Sequence, residues 1–581
     1  MRSVKKIPLG RVLLVFFLLA VVSELPQLAK QTMYMNSWDV PFHLSRMYEL
    51  EKGFEVGKWL PDVSAYTFGQ NGYGVNLFYG YSFTYVVAVI YFLTQHAVTA
   101  VLIGYVLLLT AAMGLNFYAG SLFFTGKHAR GKAFFFSVLY VLAPVTFGEM
   151  QVRGLPGELI GILLFPAAIA AFYSIMFTEK KNWIFAGIVS TLVVTNHVLS
   201  ATLLILVLVV MFIVGIFRKQ ITGEKIIRLV KVGLLTMLLS AFYVWPFLQQ
   251  LLTAKVAGAN MMWGTVSLWD SIAASVNNQA MLNWTAIPVG AFVFFMSLFI
   301  LLGLLYLKVA TKYLKQVGGW LAVSVIAIFY APTEILAKTP FHVFQMMGRF
   351  YPIIMLFALL FVVEGSYHFY DKELINYKKL NWIFILGIAL AVLSAWRLQV
   401  QTYYNNNSAP NGNYQVGEKF FPNNVSNGDF TYQMTHDYQL PLGSKDYLGQ
   451  GRVRFINGYQ FVQWGDERDA TRIYVDGKFV NLKLTHQGYR FTVNHISPSA
   501  KQVVLPMTNY KGWEVTGKNG EKLAISTVAG KLAVATKGST AIHLIYHKTV
   551  IHQLGIAVSM MTLFILISGY IGVLVSRKRL R

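Results

Sequence analysis

The stretch Tyr79–Thr94, YGYSFTYVVAVIYFLT, decides how the rest of this chain is threaded. It is apolar, uncharged and rich in Tyr and Phe, yet shorter than the roughly 20 residues that a membrane-spanning helix needs. Runs of spanning length recur around it, from Leu9 to about Val400 and again from Val550 to Val575, so the chain reads as a polytopic membrane protein. Counting Tyr79–Thr94 as a span would put every later basic loop on the side opposite the basic N-terminus. Reading it as a re-entrant or interfacial helix that ends an external loop puts them all on one side. The second reading leaves about twelve transmembrane helices and both termini cytoplasmic.

The distribution of charge follows that threading. Lys and Arg outnumber Asp and Glu 49 to 25, a net +24, in a chain that is 55% hydrophobic and 13% charged. Met1–Arg11, Gly126–Lys132, Thr178–Asn182, Arg218–Lys231, Lys308–Lys315, Phe369–Asn381 and Arg577–Arg581 read as cytoplasmic and account for +20 of it. This bias is a topology signal, with anionic membrane lipids as its partner; no nucleic acid is required. It suits a multi-pass protein of a bacterial plasma membrane. No small-x-small cleavage site follows the first apolar run, so it reads as a retained span rather than a signal peptide. Cysteine is absent, which excludes thiol nucleophiles, Cys-ligated zinc, Fe–S clusters and disulfides. No G-x-x-x-x-G-K-S/T loop occurs, and no cytoplasmic segment is long enough for a nucleotide-binding domain.

Three regions follow from composition. Residues 1–399 form a transmembrane domain with long, chemically varied external loops, 400–548 an extracytoplasmic domain, and 549–581 a final transmembrane helix with a basic cytoplasmic tail. Arg472–Asp476, Tyr489–Val493, Gln502–Pro506 and Ala541–Tyr546 are rich in β-branched and aromatic residues, with turn residues between them, and predict an all-β, sandwich-like fold. Trp464, Tyr474, Tyr489, Tyr510 and Trp513 could stack on sugar rings, but aromatics in a small sandwich are usually core.

Candidate functional residues collect on the external side. In Ser37-Trp38-Asp39-Val40-Pro41-Phe42-His43-Leu44-Ser45-Arg46, Pro41 predicts the start of a helix with Asp39 at its N-terminal end and His43 and Arg46 following at helical spacing. Asp39 is either a simple N-cap or an ionised general base or metal ligand, and the two roles are compatible. In Gly148-Glu149-Met150-Gln151-Val152-Arg153-Gly154-Leu155-Pro156-Gly157-Glu158, an Arg and two Glu near the membrane surface must pair or face a polar cavity. His197 ends a span at the same face, where it either caps a turn or meets a ligand. Arg349, followed by Phe350 and Tyr351, opens a span from outside and calls for an anionic partner such as a lipid phosphate. Trp263, Trp269 and Asp270 lie in another external loop, the tryptophans reading as interfacial anchors.

An enzyme on this side of the membrane is cut off from ATP and needs an already activated substrate. A lipid-linked phosphosugar meets that need, an external carboxylate deprotonating an acceptor hydroxyl while Arg349 neutralises the leaving phosphate.

Asp39-x-x-Phe42-His43-Leu44-x-Arg46, the Gly69–Phe78 Gly/Tyr-rich approach to an interfacial helix, Val152-Arg153-Gly154-x-x-Gly157-Glu158, His197 and Arg349 give the chain its resemblance to a bacterial integral-membrane family of the GT-C glycosyltransferase type. Its members carry the label 6-pyruvoyl-tetrahydropterin-synthase-related membrane proteins, although no His-ligated zinc of a pterin enzyme is visible here. The resemblance covers roughly the first 370 residues. The exported β domain is similar to those of teichoic-acid-glycosylating membrane proteins in its layout and its Tyr510-x-Gly512-Trp513 turn.

The resemblance implies transfer of a sugar from a polyprenyl-phosphate donor to a cell-wall glycopolymer or glycolipid acceptor. Carried over by position, it makes Asp39 the catalytic base and Arg349 the ligand of the carrier phosphate; the external position of the others adds His43 as a catalytic residue and Arg46, Arg153, Glu158, His197 and Tyr351 as substrate-binding residues. No Asp-x-Asp pair stands in the first external loop, so no motif indicates a divalent metal cofactor. The alternatives are a flippase of lipid-linked glycans and a membrane-anchored cell-wall binding protein. A flippase calls for ionisable residues in mid-span or for repeated halves, and an anchor needs only one span.

Overall fold

The computed structural model describes residues 8–34, 39–258, 264–280, 285–407, 413–416, 419–422, 424–432, 434–435, 447–456, 459–462 and 472–579; Trp263 and Trp464 lie outside them. Among the described residues, eight helices are long and apolar enough to cross a membrane: Ala97–Phe123, Ala129–Arg153, Pro156–Phe177, Val198–Phe217, Gly223–Thr253, Met347–Asp371, Tyr377–Tyr403 and Val550–Val573. The expected count of about twelve is not reached by helices of this kind. Leu9–Ser23, Trp183–Asn196 and Ala291–Leu307 are shorter apolar helices, because Pro26, the extended backbone at His197 and the turn at Gly290 interrupt the apolar runs. Lys312–Phe329 is a helix of 18 residues whose first turn carries lysines. Ser82–Thr94 is a helix of 13 residues, packed between Val40–Glu55 and Ala97–Phe123.

Pro156–Phe177 is the central helix. It is apolar on every face and buried on every face, the pattern of a helix with neighbours all round. Ala97–Phe123, Trp183–Asn196 and Val198–Phe217 pack against it. Leu9–Ser23 ends at Glu24, which is fully buried. Its Oε1 accepts from Gln399 Nε2 at 3.2 Å, and the same nitrogen donates to the Ser23 carbonyl at 2.9 Å.

The C-terminal β region is a two-sheet sandwich. One sheet has the order Trp513–Gly517, Ile542–Tyr546, Arg490–Val493, Leu484–Gln487; the other runs Ile525–Val528, Lys531–Ala535, Gln502–Val504, Ile473–Val475, Lys478–Val480. All neighbouring strands are antiparallel. Alternation puts Phe491, Val493, Ile542, Leu544, Trp513 and Val515 inside. Trp513 meets the edges of Phe491 at 5.7 Å and Tyr546 at 5.4 Å. Tyr489, Tyr510 and Trp513 are thus core residues; Tyr474 is only partly covered.

The sandwich does not close its core alone. Val63, Ala65, Leu77 and Phe78 of the first external loop belong to the same apolar cluster. Glu49 fastens the junction. Its carboxylate accepts from the backbone N–H groups of Ala65, Tyr66 and Thr67 at 2.8, 3.0 and 2.9 Å, from Thr67 Oγ1 at 2.8 Å and from the Tyr489 hydroxyl at 2.8 Å. A second tie joins Lys548 Nζ to both Asp62 oxygens, at 2.6 and 2.7 Å.

Burial raises the Glu24 carboxyl from 4.5 to about 8. Its contribution to stability is therefore fully present below the unfolded value and lost as pH rises through about 8. Thermal unfolding in detergent should give a lower midpoint at pH 9 than at pH 6, and Glu24→Gln should remove part of that fall. A second expectation concerns the junction: Glu49→Ala strands several buried donors and should destabilise the fold by about 1–3 kcal/mol, seen as a lower thermal midpoint.

Candidate functional site

The Val40–Glu55 helix starts where the sequence places it, with Asp39 at the N-cap position and Pro41 in the first turn. The Asp39 N–H donates to the Arg153 carbonyl at 3.0 Å, and its own carbonyl accepts from the His43 N–H at 3.0 Å. Its side chain makes no capping hydrogen bond to the helix. Position, not capping, is therefore what the helix start gives this carboxylate, beside N–H groups that favour its ionised form. Gly154 makes the contact close: its backbone is left-handed (φ 64°), and a Cβ there would stand 2.3 Å from Val40 Cγ2.

The segment from Gly148 to Glu158 brings its charges together through a turn of π-helix, Glu149–Arg153, an irregularity frequent at functional sites. Arg153 Nη1 lies 2.7 Å from Glu149 Oε1 and 3.1 Å from Glu158 Oε2. The other Glu158 oxygen lies 3.1 Å from Arg349 Nε, at an angle that makes an ion pair without a hydrogen bond. Arg349 Nη1 donates to Gln345 Oε1 at 2.6 Å and to the Phe344 carbonyl at 3.2 Å. The expected anion for Arg349 was a lipid phosphate; in the folded chain Glu158 takes that place. Glu149, Arg153 and Glu158 are each at most 2% exposed.

His197 caps Val198–Phe217, its Nδ1 accepting from the Ser200 N–H at 3.2 Å and meeting Ser200 Oγ at 2.8 Å. It shares the wall of a small cavity with Glu158 and Arg349. Burial lowers its pKa to about 4 against the opposing pull of Glu158, so the imidazole is neutral near pH 7.

His43 and Arg46 sit one turn apart, Arg46 Nη1 facing His43 Nδ1 at 3.4 Å. Burial holds the His43 pKa well below its ordinary value, helped by Arg46. Arg46 Nη2 donates to the carbonyls of Tyr79 and Gly80 at 3.1 and 3.0 Å and to Asn76 Oδ1 at 3.2 Å. It thereby fixes the loop that leads into Ser82–Thr94. Among the described residues no carboxylate forms an ion pair with it.

Asp39, His43, Arg46, Arg153, Glu158, His197 and Arg349 thus lie in one neighbourhood. Tyr351 does not join them; it is buried in the apolar core with Tyr140 in the same cluster. Trp269 is 77% exposed, and Asp270 accompanies it in a separate short helix, Leu268–Val276. Sequence gives Tyr79 no role of its own and Glu49 no partner, whereas Glu149 and Glu158 are the two carboxylates it sets beside Arg153, and both pair with it. Among the described residues no group of three or more His, Asp or Glu is arranged to hold a metal.

On the membrane side of the cluster lies a cavity of about 1330 Å³ between Pro156–Phe177, Val198–Phe217, Lys312–Phe329 and Tyr351–Asp371. Its walls adjoin the small cavity of the charged site. Phe165 of the one and Ile169 of the other are a turn apart, and Met347 and Phe350 of the larger cavity flank Arg349. The only charged side chains lining it are Arg218 and Lys312, at the end away from Arg349.

No protein-family model matches the chain, and no curated protein matches it. Among solved structures it is similar to the arabinofuranosyltransferase AftD from mycobacteria, with 13% identity and a TM-score of 0.42; the match covers 68% of this chain and 27% of that one. The chain thus spans about a quarter of that protein's length.

Removing Glu158 would take from Arg349 the carboxylate it pairs with and from Arg153 one of its carboxylate partners. Glu158→Ala should cost about 3–5 kcal/mol, the loss typical of a broken buried ion pair, whereas Asp270→Ala should change the thermal midpoint little.

Proposed function

We propose that the chain is a membrane glycosyltransferase of the GT-C type that moves a sugar from a polyprenyl-phosphate carrier to a cell-envelope glycopolymer or glycolipid on the outer face. The observation that carries this reading is the junction of the charged cluster with the long apolar cavity. The Lys312–Phe329 helix lines that cavity from Lys312 to beyond its last turn. Eighteen residues rise about 27 Å, close to the roughly 30 Å of a bilayer's hydrocarbon core and nearly twice one leaflet. A chain longer than one leaflet fits such a groove, and a polyprenyl tail is one. Its phosphate would then lie beside Arg349.

In this scheme the Asp39 carboxylate takes the proton of an acceptor hydroxyl while that oxygen bonds to the anomeric carbon. The bond from the anomeric carbon to the carrier phosphate breaks, its electron pair going to the phosphate, whose charge Arg349 neutralises. Arg349 moves from Glu158 to the phosphate as the carrier enters, and Arg153 retains Glu158. Neutral His197 supplies a hydrogen-bonding group without adding charge, and His43 and Arg46 hold the loop that faces Asp39. The flippase alternative is less well supported, since a headgroup crossing this cavity would meet no charged side chain between its two ends.

The test is transfer from a radiolabelled polyprenyl-phosphate sugar in proteoliposomes. Wild type should move label to a glycan acceptor, and Asp39→Asn should lower the rate at least about 100-fold while inserting normally. Val317→Trp, which narrows the cavity, should raise KM for a long-chain carrier more than for a short-chain analogue. Labelled lipid crossing the bilayer intact, with no transfer, would favour a flippase instead.

A further inference from the structure

Tyr79 stands where the three loops of the charged cluster meet. Its ring meets His43 edge to face at 5.2 Å, lies under the Arg46 guanidinium at 4.9 Å, and is 6.4 Å from the His197 ring. Its backbone is held at both ends: the N–H donates to the Val75 carbonyl at 2.9 Å, and the carbonyl accepts from Arg46. Gly157 makes room for the ring, because a Cβ there would stand 3.0 Å from Tyr79 Cε1 and 2.6 Å from the Asn196 carbonyl.

This packing holds a hydroxyl that is buried and has no hydrogen-bond partner. Such a group destabilises a fold, and phenylalanine would fill the same space without that penalty. The charges acting on it come from all three loops: Asp39 most strongly, then Arg46, Glu158 and Arg349. Burial raises its pKa, so the phenol keeps its proton and remains a donor.

We propose that the Tyr79 hydroxyl contacts substrate, donating a hydrogen bond to the phosphate oxygen from which the sugar departs. This role rests on the glycosyltransferase reading above. As the bond between the anomeric carbon and that oxygen breaks, its electron pair becomes negative charge on the phosphate. Arg349 meets that charge from one side and the phenol O–H from the other. Tyr79 keeps its proton throughout, and the acceptor's proton goes to Asp39. A fixed donor aimed at developing charge lowers the barrier more than it strengthens ground-state binding.

The experiment compares full-length wild type and Tyr79→Phe in proteoliposomes, with sugar donors carried on polyprenyl monophosphate and on polyprenyl pyrophosphate, the better leaving group. Tyr79→Phe should lower kcat with the monophosphate donor about 10- to 100-fold and leave KM within threefold. Loss with the pyrophosphate donor, where that donor is used, should be smaller, and the thermal midpoint should stay the same or rise. Transfer by Tyr79→Phe within twofold of wild type overturns the role of Tyr79, and so does a loss accompanied by a thermal midpoint lower by several degrees. Absence of transfer by wild type overturns the glycosyltransferase reading itself, and the role of Tyr79 with it.

Discussion

A carboxylate buried away from water must be neutralised where it lies, and at Glu158 that requirement joins distant parts of the chain. One oxygen faces Arg153, five residues earlier; the other faces Arg349, nearly two hundred residues later. Glu149 completes the set by sharing the Arg153 Nη1 that Glu158 contacts. Because removing one partner strands the other as an uncompensated charge, the loops carrying these residues are tied to one another. The same rule makes the cluster a candidate for chemistry. Its charges are paired internally, and the proposed exchange of an incoming anion for Glu158 at Arg349 would leave Glu158 with Arg153.

The outer sandwich is joined to this site by a different interaction. Glu49 lies on the helix that begins at Asp39, and it gathers donors from the following loop and from Tyr489 of the sandwich. That loop also contributes Val63, Ala65, Leu77 and Phe78 to the sandwich core. One helix of 16 residues therefore carries Asp39 at its start, the His43 and Arg46 pair in its first half and the attachment of the sandwich, through Glu49, further along.

Much of the membrane part was legible because its signals are local. Apolar length marks the spans, basic residues mark one side, and Pro41 marks a helix start that the structure has at Val40. Asp39, Arg153, Glu158, His197 and Arg349 stood out because polar residues near a membrane face are costly unless they have a purpose. Three outcomes go beyond what composition shows. Among the described residues eight helices are long and apolar enough to span and four apolar ones are shorter, since single residues such as Pro26 and His197 break apolar runs that composition alone reads as continuous. Arg349 has a protein carboxylate as its partner. Tyr351 turns into the apolar core and away from the cluster, because it stands two positions past Arg349, which on a helix sends the two side chains to different faces.

What Tyr79 and Glu49 touch was not legible. Nothing in their neighbouring residues distinguishes a tyrosine that ends a Gly/Tyr-rich segment, or a glutamate in the third turn of a polar helix. Their meaning comes from Gly157, Arg46 and Tyr489, which reach them from elsewhere in the chain. By itself the sequence determined that the chain is rich in membrane-length apolar helices, where the Asp39 helix starts and that the region before the last helix is β, because each depends on hydropathy or backbone preference over a few residues. Only the tertiary structure decided which carboxylate faces which arginine, that the sandwich completes its core with the first external loop, and that the charged cluster adjoins a long apolar cavity. Those facts depend on packing between segments remote in sequence, where the burial of charge and apolar surface is decided jointly.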